Sequence, residues 1–218
     1  MEDVRTGYAG RSGARERVST ATLLGQVMFL VAIALAFTVT GTFIGRQLSD
    51  GTAFILFLVG FGMLLAQSFV APLRVGTLGI CWLYAIALCL GLGLGPAINH
   101  LIQSDPSAVT EAAGATALIT LGMGAGGFAL SKDLAAWMRP LSFVILGCVV
   151  VSFGLLLFSS GGNPILSAII ALVSALLIAV DFNYLRKHGT ADDAVWLATG
   201  IFVSIINIFL SLLNLFSD

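Results

Sequence analysis

Apolar residues run along this chain in long blocks, separated by short stretches that hold nearly all of its charge. Runs free of Asp, Glu, Lys, Arg and His cover 18–45, 51–73, 75–99, 112–131, 140–180 and 194–217. A helix of about 20 apolar residues crosses the hydrocarbon of a bilayer, so the first four runs and the last each predict one span. The run over 140–180 is too long for a single helix, and SSGGNP at 159–164 predicts a turn that divides it. The sixth helix then continues past Asp181 to about Leu185. The predicted spans are 23–45, 52–73, 76–99, 110–131, 140–159, 164–185 and 194–216, preceded by a polar, flexible cytoplasmic tail over 1–20. The pattern therefore predicts an all-α polytopic membrane protein whose residues 21–218 form one domain of seven transmembrane helices.

Composition agrees with that reading. Of 218 residues, 58% are hydrophobic and 10% charged, against about a quarter charged in a soluble domain. The mean hydropathy is +1.04. A net charge of −1 excludes a strongly basic nucleic-acid binder, so no nucleic acid is expected as a partner. The lipid bilayer is. The cysteines Cys81, Cys89 and Cys148 all fall inside apolar runs and read as small core residues rather than disulfides or metal ligands. Orientation follows from the basic residues. With the N-terminus cytoplasmic, Arg5, Arg11, Arg15, Arg17, Arg74, Lys132, Arg139, Arg186 and Lys187 lie inside and only Arg46 outside. Seven spans then put the C-terminus outside.

Two features stand out within the spans. Glycine clusters at Gly41-x-x-x-Gly45, Gly91-x-Gly93-x-Gly95-Pro96 and Gly122-x-Gly124-x-Gly126-Gly127 predict close helix packing, because small residues let backbones approach where burial from water supplies no driving force. Pro96 is expected to kink or end helix three. The last helix carries a polar stripe: Gly200, Ser204, Asn207, Ser211 and Asn214 recur at helical spacing on one face. Such a stripe should face protein, which places helix seven at the centre of the bundle. Helix six has a matching heptad stripe of Ser167, Ser174 and Asp181, continued by His188. The simplest arrangement opposes the two stripes, with hydrogen bonds between the helices.

Asp181 is the candidate functional residue. A carboxylate costs about 2.5–3.5 kcal/mol at the centre of a transmembrane helix, and Asp181 lies roughly 7–8 Å along the helix from Arg186, off that centre. Burial and a nearby cation such as Arg74 or Arg186 would act on its ionisation in opposite senses, as a pH-sensitive gate requires. Gln67 is a second candidate partner. Glu111 reads as a residue near the start of helix four, favoured by the helix dipole. His100 and His188 are isolated. No metal-ligand spacing and no Ser-His-Asp or Cys-His arrangement is evident, so neither a metal, another cofactor nor an enzymatic activity is expected.

With the seven spans in place, five stretches follow one another along the chain: RVGTLGICWLYA at 74–85, LGPAINHLI at 94–102, LSKDLAAW at 130–137, AVDFNYL at 179–185 and FVSIINIFLSLL at 202–213. Together and in this order they resemble the Bax inhibitor (TMBIM) family, and most closely its bacterial YccA-type branch. The resemblance implies six helices surrounding a central seventh and a bacterial inner membrane location. Some members are pH-regulated calcium leak channels, in which an aspartate of helix six pairs with one of helix seven and an arginine at the cytoplasmic end of helix two modulates them. Asp181 matches the first aspartate and Arg74 the arginine. The position of the second, three before Asn207, holds Ser204, and the acidic residue many members carry in helix two is absent from Val59-Gly60-Phe61-Gly62. One carboxylate is a poor calcium site, because calcium takes six to eight oxygens. Branch members also associate with the membrane-anchored ATP-dependent protease FtsH and its HflK/HflC partners. The leading expectation is thus a non-enzymatic modulator of FtsH-type membrane protein quality control. The alternative is a pH-sensitive calcium or proton leak centred on Asp181.

Overall fold

The computed structural model describes residues 19–158 and 163–217, with side chains omitted over 153–158. The expected tail, apart from Ser19 and Thr20, and the SSGG part of the expected turn lie outside the described residues. Seven helices among them are long and apolar enough to cross a membrane, and no described residue is in a strand. They are α1 (Thr20–Gly45), α2 (Asp50–Phe69), α3 (Gly76–Ser104), α4 (Pro106–Ala129), α5 (Ala135–Phe158), α6 (Pro164–Lys187) and α7 (Ala194–Phe216). Short 3-10 turns over Ala71–Arg74 and Ala191–Asp193 lead into α3 and α7.

The helix starts follow from local chemistry. Side-chain oxygens of Ser19, Ser49, Asp105 and Asn163 accept from the backbone N–H groups of Thr22, Thr52, Ala108 and Leu166, supplying partners that the first turn of a helix lacks. Pro106 and Pro164 take the first helical position, where a missing N–H removes nothing. Helix four thus begins at Pro106, and Asp105 rather than Glu111 occupies its cap. Helix three does not end at Pro96 but runs on to Ser104. Helix five likewise begins ahead of Arg139 and carries Pro140 inside it. Charges mark where side chains reach the polar boundary, and a helix continues past that point because its long cationic side chains extend to water.

Helix α7 is the centre. None of its residues from Ala194 to Leu215 is exposed, and its buried residues Leu197, Ala198, Ile201, Phe202, Ser204 and Ile208 lie on more than one side. It packs against α1, α3, α4 and α6, while Gln67 of α2 reaches it through a hydrogen bond. Helix α5 lies outermost, against α6. Phe29, Phe43, Ile55, Leu118 and Phe143 face outward, as lipid contact requires.

Glycines set the closest approaches. A Cβ on Gly91 would stand 2.2 Å from the carbonyl oxygen of Thr38, and one on Gly45 2.4 Å from that of Leu92, so α1 and α3 touch backbone to backbone. The Thr38 hydroxyl spans the same contact, 3.2 Å from the Ala87 carbonyl oxygen. Gly127 does the same for α4 and α6, since a Cβ there would stand 2.1 Å from the Ala179 carbonyl oxygen. The third cluster divides: Gly124 and Gly127 face α6, whereas Gly122 and Gly126 open onto nothing within 4 Å.

Candidate functional site

Asp181 lies on α6 opposite Gly200 of α7. It is 6% exposed, and a Cβ built on Gly200 would stand 3.1 Å from Asp181 Oδ2. The missing side chain at 200 is what lets a carboxylate rest against the central helix. Among the described residues Asp181 has no hydrogen-bond or ion-pair partner. One turn along α7, Ser204 is buried, and Asn207 is half-buried a further turn on.

Arg74 stands elsewhere. Its Nε donates to the Gln67 carbonyl oxygen at 2.7 Å, supplying a donor to the last turn of α2, whose carbonyls lack helical partners. Gln67 is buried, and its Nε2 donates to the carbonyl oxygen of Leu73 at 3.0 Å and to Thr199 Oγ1 at 3.2 Å. The Thr199 hydroxyl in turn donates to the Val195 carbonyl oxygen. Arg74 and Asp181 are therefore tied to adjacent residues of α7, the first through Gln67 and Thr199 and the second at Gly200, without forming an ion pair with each other. Arg186, the other cation considered, donates to the Leu130 carbonyl oxygen.

That bond belongs to a clamp absent from the sequence expectations. Asn183, two residues beyond Asp181, is fully buried. Its Nδ2 lies 3.1 Å from each of the carbonyl oxygens of Gly127, Leu130 and Lys132, and its Oδ1 accepts from Leu134 N–H at 2.9 Å. One amide thus caps the end of α4 and fixes the segment leading into α5. The same turn of α6 adds Arg186, Lys187, whose Nζ donates to the Ser131 carbonyl oxygen, and His188, whose Nε2 lies 2.6 Å from Asp133 Oδ2. The only hint in the sequence was an amide within an apolar helix end, off the stripe of Ser167, Ser174 and Asp181.

Asp133 also accepts from Ala135 N–H at 2.9 Å, and this bond, with the smaller contribution of His188, holds its carboxyl below the usual carboxylate range. A value depressed by folding contributes stability that is complete above the ordinary carboxylate range and is lost as pH falls through the folded value. Protection of the Ala135 amide from hydrogen exchange, corrected for intrinsic rate, should therefore decline below about pH 4. Protection independent of pH down to about 2 would contradict this role.

Among the described residues no group of three or more His, Cys, Asp or Glu side chains gathers in one place. Cys81, Cys89 and Cys148 are free thiols. What remains at the centre of the bundle is a single carboxylate set against a glycine, with unbonded hydroxyl and amide side chains farther along the two helices.

Comparison with known proteins bears on that arrangement. The family model described as "Inhibitor of apoptosis-promoting Bax1" matches residues 20–218, which takes in all seven helices. The uncharacterized protein PA2604 of Pseudomonas aeruginosa is 27% identical over 216 residues, covering 96% of this chain and 95% of that protein.

Proposed function

The chain belongs to the Bax inhibitor family, and on that premise we propose that it is a multi-pass membrane protein that lets protons or small cations leak across the bilayer under the control of Asp181. One observation carries the reading. Asp181 is buried against the central helix and has no ion-pair or hydrogen-bond partner among the described residues. Ionisable residues inside membrane spans are rare because they are expensive, and those that persist mark ion and proton paths. A charge at Asp181 would have to be met by water or by a passing cation. Protons fit this site better than calcium, because one carboxylate next to Gly200 and Ser204 supplies few of the oxygens calcium requires. The N-terminus is assigned to the cytoplasm from the placement of the basic residues. Asp181 and Arg74 then lie toward the inner face.

Proteoliposomes holding the full chain should dissipate a proton gradient faster than empty liposomes between about pH 6 and 8. Equal decay in the two would contradict the proposal. A parallel calcium indicator separates the two ions, and the smaller response is expected from calcium.

The modulation of an FtsH-type protease with HflK/HflC, assigned through the YccA-type branch, rests on the tail over 1–20 and on the resemblance rather than on the geometry of the bundle. Copurification with FtsH, and a change in turnover on deleting residues 2–20, are its expected results. Neither effect appearing would end that reading.

A further inference from the structure

The contact between Asp181 and Gly200 fixes the register of α6 against α7, and that register has a consequence for the polar residues beyond it. The two helices run antiparallel. Seven residues back along α6 from Asp181 is Ser174, and seven forward along α7 from Gly200 is Asn207, a displacement of about 10.5 Å on each. Another seven give Ser167 and Asn214. The polar positions therefore stand as successive rungs, Asp181 with Gly200, Ser174 with Asn207, and Ser167 with Asn214. Ser204 lies on the α7 stripe between the first two rungs.

These rungs are opposed but not bonded. Among the described residues, no hydrogen bond joins the side chains of Ser167, Ser174, Ser204, Asn207, Ser211 or Asn214 to any other residue. Ser174 is fully buried and its Oγ has no partner; Asn214 Nδ2 is buried and equally without one. Serines elsewhere behave differently. Ser68, Ser104 and Ser142 each return their hydroxyl to the carbonyl four residues earlier, at 3.2, 3.0 and 2.7 Å. The seam serines leave that bond unmade, so their hydroxyls are free for another partner. Buried polar groups are almost always bonded, and those that meet no protein group are bonded to ordered water.

The geometry points to a hydrated seam between α6 and α7, in which ordered waters bridge Ser174, Asn207 and Ser204 and connect Asp181 with the Asn214 end of the bundle. Its ligand is water and the proton that water carries. The seam is a route to Asp181 from the end opposite the Asn183 clamp, and its functional meaning rests on the leak proposed above. The hydration itself does not.

Silver ions test it, being small, hydrophilic and reactive with thiols. In the full chain with Cys81, Cys89 and Cys148 replaced by alanine and reconstituted in liposomes, Ser174→Cys and Asn207→Cys should react with silver at least about tenfold faster than Val27→Cys, a position in the apolar core as buried as Ser174. A smaller ratio at either position overturns the seam. Ser174→Cys is close in volume to the native residue, so failure to fold is not expected, and retained thermal stability verifies this. Fast silver reaction in a protein without proton flux would sustain the seam and reject the leak. Flux combined with slow silver reaction at either position would sustain the leak and reject the seam.

Discussion

Gly127→Ala is expected to destabilise the protein by about 3 kcal/mol or more, while Gly126→Ala, one residue earlier, is expected to be neutral or to stabilise by up to about 1 kcal/mol. At 127 the new methyl would stand 2.1 Å from the Ala179 carbonyl oxygen, and that atom belongs to the backbone of α6. No rotamer change can relieve the overlap, so the two helices must separate. Their separation would also loosen the bond from Asn183 to the Gly127 carbonyl oxygen. At 126 a methyl meets nothing within 4 Å and replaces the most flexible residue in a helix by the best helix former. Thermal unfolding in detergent, followed by loss of the monodisperse species, should show opposite or sharply unequal shifts. Equal shifts would contradict the α4–α6 contact.

The second large effect is expected at Asn183. Asn183→Leu keeps the branching at Cγ, adds some bulk and removes all four hydrogen bonds, leaving the Leu134 N–H and three carbonyl oxygens without that partner. Orphaned buried polar groups cost about 1–3 kcal/mol each, and partial access of the loop to water reduces the total to about 2–4 kcal/mol. Asn183→Asp is the more telling variant. It retains an acceptor for Leu134 but turns an acceptor toward three carbonyl oxygens, so it should destabilise about as much as leucine. Tolerance of aspartate with loss in leucine would mean that the acceptor alone matters. Unchanged stability in both would contradict the clamp. Proteolysis within 130–134 offers a local readout, with faster cleavage expected in both variants.

How much of this could be read from the sequence depended on the length of the signal. Seven helices followed from apolar runs of about membrane length, and the central position of α7 from a polar stripe carried over four turns. Both signals extend over many residues and survive local exceptions. Helix limits did not follow from charge and proline alone, because α3 runs past Pro96 and His100, α5 begins before Arg139 and α6 reaches Lys187. Short-range choices were less legible. Gly122, Gly124, Gly126 and Gly127 look alike in sequence, and only the placement of α6 decides that Gly124 and Gly127 are the ones that pack. The expected proximity of Arg74 and Asp181 followed from the charges being near the same end. Arg74 donates to the Gln67 carbonyl oxygen and forms no ion pair with Asp181, because the end of α2 offers it acceptors that lack helical partners. Asn183 escaped notice because it lies beside the more conspicuous Asp181, and its partners are backbone atoms that no sequence pattern marks.

Control of passage by Asp181 is tested most directly by proton flux through proteoliposomes of Asp181→Asn. Asparagine has the same shape and fits against Gly200, but it cannot ionise. Flux is expected to fall by about tenfold or more relative to the native chain while thermal stability is retained, and Arg74→Ala is expected to have a smaller effect, because Arg74 makes no ion pair with Asp181. Flux in Asp181→Asn equal to that of the native chain would contradict control by Asp181.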